Sequence, residues 1–166
     1  MITSKRKSDK NPRPQQDNYI TQEKADQYQQ NLDRLIKEVR PKLSKEVQRL
    51  AELGDFSENA AYQMAKGKLR GINNKILELK NRLDQAILII QNPADGTIAI
   101  GSKVTVESEG QKFNYQILGS QETDPRLGKI SHLSPFGSAL IGHQKNDLIE
   151  IEINNKLVKY KIIDVK

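Results

Sequence analysis

Two carboxylates three residues apart, Asp55 and Glu58, stand in the run Gly54-Asp55-Phe56-Ser57-Glu58-Asn59-Ala60. Two kinds of chemistry suit that spacing. One is structural: Asp55-x-x-Glu58 is close to a capping box, with Gly54 ending one helix and Asp55 or Ser57 capping the next, worth about 1 kcal/mol plus a few tenths from the helix dipole. The other is metal binding. Mg²⁺ takes six oxygens in an octahedron, so two carboxylates supply part of a shell that waters and another protein's ligands would complete. Brought into a foreign active site, such a pair can fix a metal and orient the water that attacks a phosphodiester. Spacing alone favours the cap, because capping boxes are common and metal-binding carboxylate pairs are not. The cap leaves unexplained why both acids stand at the end of a long basic arm.

That arm is visible in the hydrophobic period. After the acids, apolar residues fall at Tyr62, Ala65, Leu69, Ile72, Ile76, Leu79, Leu83, Ala86 and Ile90, in alternating steps of three and four. Before them Ala25, Tyr28, Leu32, Leu35, Val39, Leu43, Val47, Leu50 and Leu53 form a second stripe, with a phase slip after Val39. Pro41 stands at the slip, so a bend is expected there within one helix. Two arms of about 30 residues, each about 45 Å long, joined by a short link must run antiparallel. The acids therefore belong to the tip of a helical hairpin.

Charge follows the same division. Residues 1–90 carry 18 Lys+Arg against 12 Asp+Glu, a net +6, whereas residues 91–166 carry nine of each. Residues 1–18 are polar, basic and proline-containing, which predicts a disordered basic tail. The hairpin is expected over residues 19–91, and Gln91-Asn92-Pro93-Ala94-Asp95-Gly96 is a turn-rich link that ends it. Beyond the link the period falls to two, at Ile98 and Ile100, Val104 and Val106, Phe113 to Ile117, Ile149 to Ile153, and Leu157 to Val165. Glu109-Gly110 and Asn154-Asn155 supply turns. Ser134-Pro135 opens a short helix that Gly142 stops. Residues 97–166 are thus expected to form a small α+β domain, and the chain as a whole is of α+β class.

Composition excludes several function classes. With 166 residues, 36% hydrophobic content, no Trp and no Cys, there is neither a disulfide framework nor a thiolate zinc site. Nothing resembles a signal peptide or a membrane span, so a cytoplasmic location without membrane partners is expected. A self-contained hydrolase needs a nucleophile with a base or a full metal shell, yet His132 and His143 flank the short helix, far in sequence from the acids. Lys66, Lys68, Arg70, Lys75, Lys80 and Arg82 are either the solvated face of a coiled coil or an RNA-facing surface; the one-sided net charge tilts toward RNA.

The run L-G-D-F-S-E-N-A-A-Y-Q-M-A-K-G-K-L-R-G-I, with Arg40-Pro41 upstream, resembles the Gre transcript-cleavage factors of bacterial RNA polymerase, over about residues 19–166. Tyr62-Gln63 and Lys68-Leu69-Arg70 look closer to the GreB branch. Gly128 to His143 is similar to the family's carboxy-terminal domain, so the resemblance implies an FKBP-like fold and polymerase docking for residues 97–166. It further implies that Asp55 and Glu58 coordinate catalytic Mg²⁺ shared with the polymerase active site when the hairpin enters the secondary channel. Ser57 assists, Asn59 and Tyr62 lie in the same family string, and Lys66, Lys68 and Arg70 face the backtracked nascent RNA 3′ end. The implied protein is a monomeric accessory factor, not itself an enzyme, that stimulates the polymerase's cleavage of backtracked RNA. The alternative is a secondary-channel regulator that tunes or inhibits transcription without cleavage. Two departures are visible: Ala61 stands where the family usually has an acid, and Asn146 replaces the glycine common before Asp147.

Overall fold

The computed structural model describes residues 17–53, 60–90, 96–153 and 156–166. The tail to residue 16, the tip residues 54–59 with the caps expected at Gly54, Asp55 and Ser57, the link residues 91–95 and the Asn154-Asn155 turn lie outside the described residues.

A strand pair, β1 (Tyr19–Ile20) with β2 (Ile87–Leu88), lies at the base of the hairpin, whose first arm runs α1 (Gln22–Arg34), a π turn (Leu35–Val39) and α2 (Arg40–Glu52). Thr21 is extended, and its hydroxyl accepts the Lys24 N–H at 3.2 Å, which starts α1. The phase slip is realised as the π turn. The Arg40 N–H donates to the Leu35 carbonyl five residues back, and the backbone from Arg34 to Arg40 stays right-handed helical. A wide turn takes up the one residue by which the apolar stripe exceeds its period. Pro41 follows at the first positions of α2, where its missing N–H and bulky ring are accommodated by the widened turn. The irregularity expected at the proline therefore begins six residues ahead of it.

The second arm, α3 (Ala60–Asp84), packs back along the first. Leu32 and Leu35 share a core with Ile76 and Leu79, flanked by Tyr28, Val39, Ile72 and Leu83, while Leu50 and Ala65 are buried nearer the tip. Low numbers on one arm meet high numbers on the other, so the arms are antiparallel.

Periodicity overextends this helix. It stops at Asp84, the Ala86 N–H closes a tighter turn on the Leu83 carbonyl, and Ile87 and Leu88 pair in parallel with Tyr19 and Ile20. Ile90 is 86% exposed, not on the seam. The reason lies in Ile87-Leu88-Ile89-Ile90: a short apolar run reads equally as helix or strand, and hydrogen bonds from Ile87 to Asn18 (2.8 Å) and from Ile89 to Ile20 (2.9 Å) decide for strand. Asp17 and Asn18, assigned by sequence to the tail, belong to this folded base.

The remainder is a five-stranded sheet in the order β5-β4-β3-β7-β6, formed by β3 (Lys103–Ser108), β4 (Gln111–Leu118), β5 (Lys129–Ser131), β6 (Leu148–Ile153) and β7 (Lys156–Val165). Only the β4–β5 pair is parallel within it. Alternation places Val104, Val106, Ile117, Ile149, Ile151 and Ile162 in one core with Ile98 and Leu140. Ile98 and Ile100, expected in a strand, are not in one. Ile98 is nonetheless buried, exchanging hydrogen bonds with His143 (2.8 Å) and Gly142 (2.9 Å). Glu109 and Gly110 both adopt positive φ (51° and 76°), the geometry of a tight hairpin turn. The short helix α4 (Pro135–Leu140) is capped by Ser134, whose hydroxyl accepts the Gly137 N–H at 3.0 Å. Phe136 on α4 stands edge-on to Tyr115 (4.7 Å) and Tyr160 (5.0 Å). Burial, with Tyr160 beside it, pushes the Tyr115 hydroxyl up. The expected α+β class holds.

Candidate functional site

The antiparallel seam decides where the acids stand in the chain: residues 54–59 join the far ends of α2 and α3, and Asp55, Ser57, Glu58 and Asn59 are among them. These four lie outside the described residues. From Ala60 the helix can be followed. Tyr62 is half-buried beside the seam, with the Lys66 ammonium 5.9 Å from its ring centroid. Ala61, the departure from the family acid, is exposed.

Helical geometry separates the three cations singled out in the sequence. Lys66 and Arg70 lie one turn apart and, with Gln63 and Asn73, line a groove over Leu69 that Gly67 leaves open. Lys68 is about 200° round the helix from Lys66 and does not line that groove. The structure therefore brings Lys66 and Arg70 together and sets Lys68 on the opposite side. Lys75 and Arg82 have a different neighbour: Glu78 pairs with Lys75 at 3.8 Å and with Arg82 at 2.8 Å. Such exposed helix pairs contribute a few tenths of a kcal/mol each.

Both histidines have partners away from α2 and α3. His132 stands edge-on to Tyr19, with Nδ1 3.7 Å from the Asp17 carboxylate. His143 Nδ1 is 3.2 Å from Asp147, whose carboxylate also accepts the Gln144 N–H at 2.9 Å. The Gln144 N–H first, and His143 second, hold Asp147 below the usual carboxylate range. Next to it Asn146 has φ 77°, a left-handed conformation that glycine adopts freely and asparagine tolerates. The Asn146 departure is thus a turn variation. Among the described residues, no three His, Cys, Asp or Glu side chains gather as a metal shell.

A contact that periodicity does not disclose joins the hairpin base to the sheet domain, through Asp17, Thr21, Tyr28 and Arg82 on one side and Ser120, Gln121 and Glu122 on the other. Tyr28 belongs to the apolar stripe and reaches this contact through its hydroxyl; the other residues are polar or charged, so no hydrophobic pattern marks the contact.

Comparison with known proteins covers both parts. The family model described as "Transcription elongation factor, N-terminal" matches residues 18–87, and that described as "Transcription elongation factor, GreA/GreB, C-term" matches residues 92–166. The chain is 36% identical over 150 residues to the transcription elongation factor GreA of Pelobacter propionicus, covering 89% of this chain and 95% of that protein. It is 38% identical over 152 residues to GreA of Lachnoclostridium phytofermentans, covering 90% and 95%. These relatives carry the name GreA and lend no support to the GreB leaning. Among solved structures, GreA factor homolog 1 of Thermus thermophilus aligns at TM-score 0.40 and 24% identity, over 89% of this chain and 97% of that one, too distant a likeness to bear on function. With both parts matched and such relatives spanning nearly its whole length, the chain belongs to the GreA/GreB family of transcription elongation factors.

Proposed function

We propose that this protein is a cytoplasmic accessory factor of bacterial RNA polymerase that reaches through the secondary channel with its hairpin tip and stimulates the polymerase's own cleavage of backtracked nascent RNA. It is not an enzyme by itself. The observation that carries this reading is the antiparallel seam of Leu32, Leu35, Ile76 and Leu79 in a chain of this family, because it leaves Asp55 and Glu58 in the segment joining the far ends of the arms. Two carboxylates are hard oxygen donors and suit Mg²⁺, but they cover only part of its six positions, so the remaining ligands come from waters and the polymerase. The metal would supply charge stabilisation and an activated water at the phosphodiester. Asp55 and Glu58 would hold it, with Ser57 and Asn59 beside them, while Tyr62, Lys66 and Arg70 follow on α3 as the side that meets the RNA backbone. The sheet domain, with its balanced charge, would dock on the polymerase.

Asn caps a helix about as well as Asp, so Asp55→Asn costs the hairpin at most a few tenths of a kcal/mol while removing an anionic metal ligand. Asp55→Asn and Glu58→Gln are each expected to bind polymerase like wild type and to lower the single-turnover cleavage rate of a backtracked complex by on the order of 10²-fold, at saturating factor across a Mg²⁺ titration. Wild-type rates from both variants would return the acids to a purely capping role. A wild-type factor that binds and slows transcription without any cleavage would favour the regulator reading.

A further inference from the structure

The 3₁₀ turn Ser120–Glu122, which follows β4, uses all three of its residues on the hairpin base. The Ser120 N–H donates to the Asp17 carboxylate at 2.9 Å, and its hydroxyl accepts the Asp17 N–H at 3.3 Å. The Gln121 carbonyl oxygen accepts from Arg82 Nη1 at 2.6 Å and from the Tyr28 hydroxyl at 3.3 Å, while its amide nitrogen donates to the Asp17 carbonyl at 3.1 Å. The Glu122 carboxylate takes the Thr21 N–H at 2.6 Å on one oxygen and the Thr21 hydroxyl at 2.8 Å on the other. The contacts thus reach Asp17 just ahead of β1, the start of α1 and the last turn of α3. Three separated points fix a direction as well as a position.

Two further observations mark this as a tight seat. A Cβ on Gly119 would run into the Tyr19 carbonyl oxygen, so the chain approaches at the one residue type that permits it. Burial pulls the Arg82 guanidinium down, but its hydrogen bonds to Glu78 and Tyr28 more than offset this and leave it raised, so the cation at the centre of the contact stays charged.

We propose that the Ser120–Glu122 turn is the joint that sets the direction of the hairpin relative to the sheet domain, with Gln121 and Glu122 as positioning residues for the tip. The inference rests on the reading of the hairpin as the arm that delivers Asp55 and Glu58. Leverage makes the joint matter: α3 alone spans about 37 Å, so a tilt of about 10° at the base carries its far end by about 6 Å. Misplacement of reacting groups by about 1 Å can cost on the order of 10²-fold in rate.

The chain has no cysteine, so cysteines introduced at the exposed positions Leu77 on α3 and Leu157 on β7 accept spin labels at those sites alone. In the full-length labelled protein, pulsed dipolar spectroscopy is expected to give one narrow distance distribution. Combining Gln121→Ala with Glu122→Ala should broaden it, leave polymerase affinity within about twofold, and lower the saturating cleavage rate by about 10-fold. Gln121→Glu keeps the acceptor for Arg82 and Tyr28 but loses the N–H given to the Asp17 carbonyl, so it should broaden the distribution less than the double alanine variant and keep more of the rate. A distribution that stays narrow in the double alanine variant overturns the proposal, as does broadening with an unchanged saturating rate. If the wild-type protein stimulates no cleavage, the functional reading falls, and the distance distributions alone decide the joint.

Discussion

At the scale of single residues, direction around the helix separates side chains that look equivalent in the sequence. Lys66, Lys68 and Arg70 are all exposed and all basic, yet Lys66 and Arg70 line one groove with Gln63 and Asn73 while Lys68 does not. If that groove follows the RNA backbone, Lys66→Ala combined with Arg70→Ala should raise the factor concentration needed for half-maximal cleavage by about 10-fold at low salt, and by less as salt screens the contact. Lys68→Ala should stay within about twofold of wild type. Equal losses from both sides of α3, measured by titrating factor against backtracked complexes at two salt concentrations, would remove the groove from the RNA path. Asn146 illustrates the reverse case, where a departure visible in the sequence is explained by one backbone angle, its φ of 77°.

At the scale of elements, the π turn and Pro41 form a matched pair. The wide turn at Leu35–Val39 holds one residue more than an α-helix needs, and Pro41 is tolerated because the regular hydrogen bond it would break is not being made. Deleting Lys37 removes the extra residue, tightens the turn to a regular helix and places Pro41 in a helix interior. The expected cost is about 3 kcal/mol. Adding Pro41→Ala to the deletion should recover most of it, because the apolar stripe then runs on without interruption. Chemical denaturation of the four proteins of this cycle measures the coupling, and a deletion that costs the same with and without the proline would sever the pair. Lys37 is exposed and its ion pair with Asp33 is open to solvent, which screens it, so losing the side chain adds little to the measured cost.

At the scale of the molecule, two folded parts of different character meet at a polar seat. The hairpin buries a narrow stripe and the sheet buries one face, and neither core runs into the other. Such a shape, with nearly half its seam in one 25-residue helix, sediments more slowly than a sphere of its mass. Analytical ultracentrifugation should therefore find an 18.8 kDa monomer with a frictional ratio well above that of a compact globule. A dimer mass, or the frictional ratio of a sphere, would contradict this shape.

The sequence by itself determined the antiparallel hairpin, the change of period near residue 97, the α4 cap at Ser134 and the chain position of Asp55 and Glu58, because each is a local pattern: a stripe every three or four residues, an alternation every two, or a side chain that bonds its own backbone. It also assigned Ile87 to Ile90 to the helix, Asp17 and Asn18 to the tail, and Ile98 to a strand. Those three assignments were decided by partners distant along the chain. Ile87 is a strand because Asn18 and Tyr19 lie beside it, Asp17 is ordered because Ser120 bonds it, and Ile98 is held by Gly142 and His143. The same holds for the separation of Lys68 from Lys66 and Arg70, which needs the helix and its buried side to be known. The seat formed by Ser120, Gln121 and Glu122 left no trace in any period, because polar residues that pair across a hundred positions of chain carry no local signal; only the folded molecule brings their donors and acceptors together.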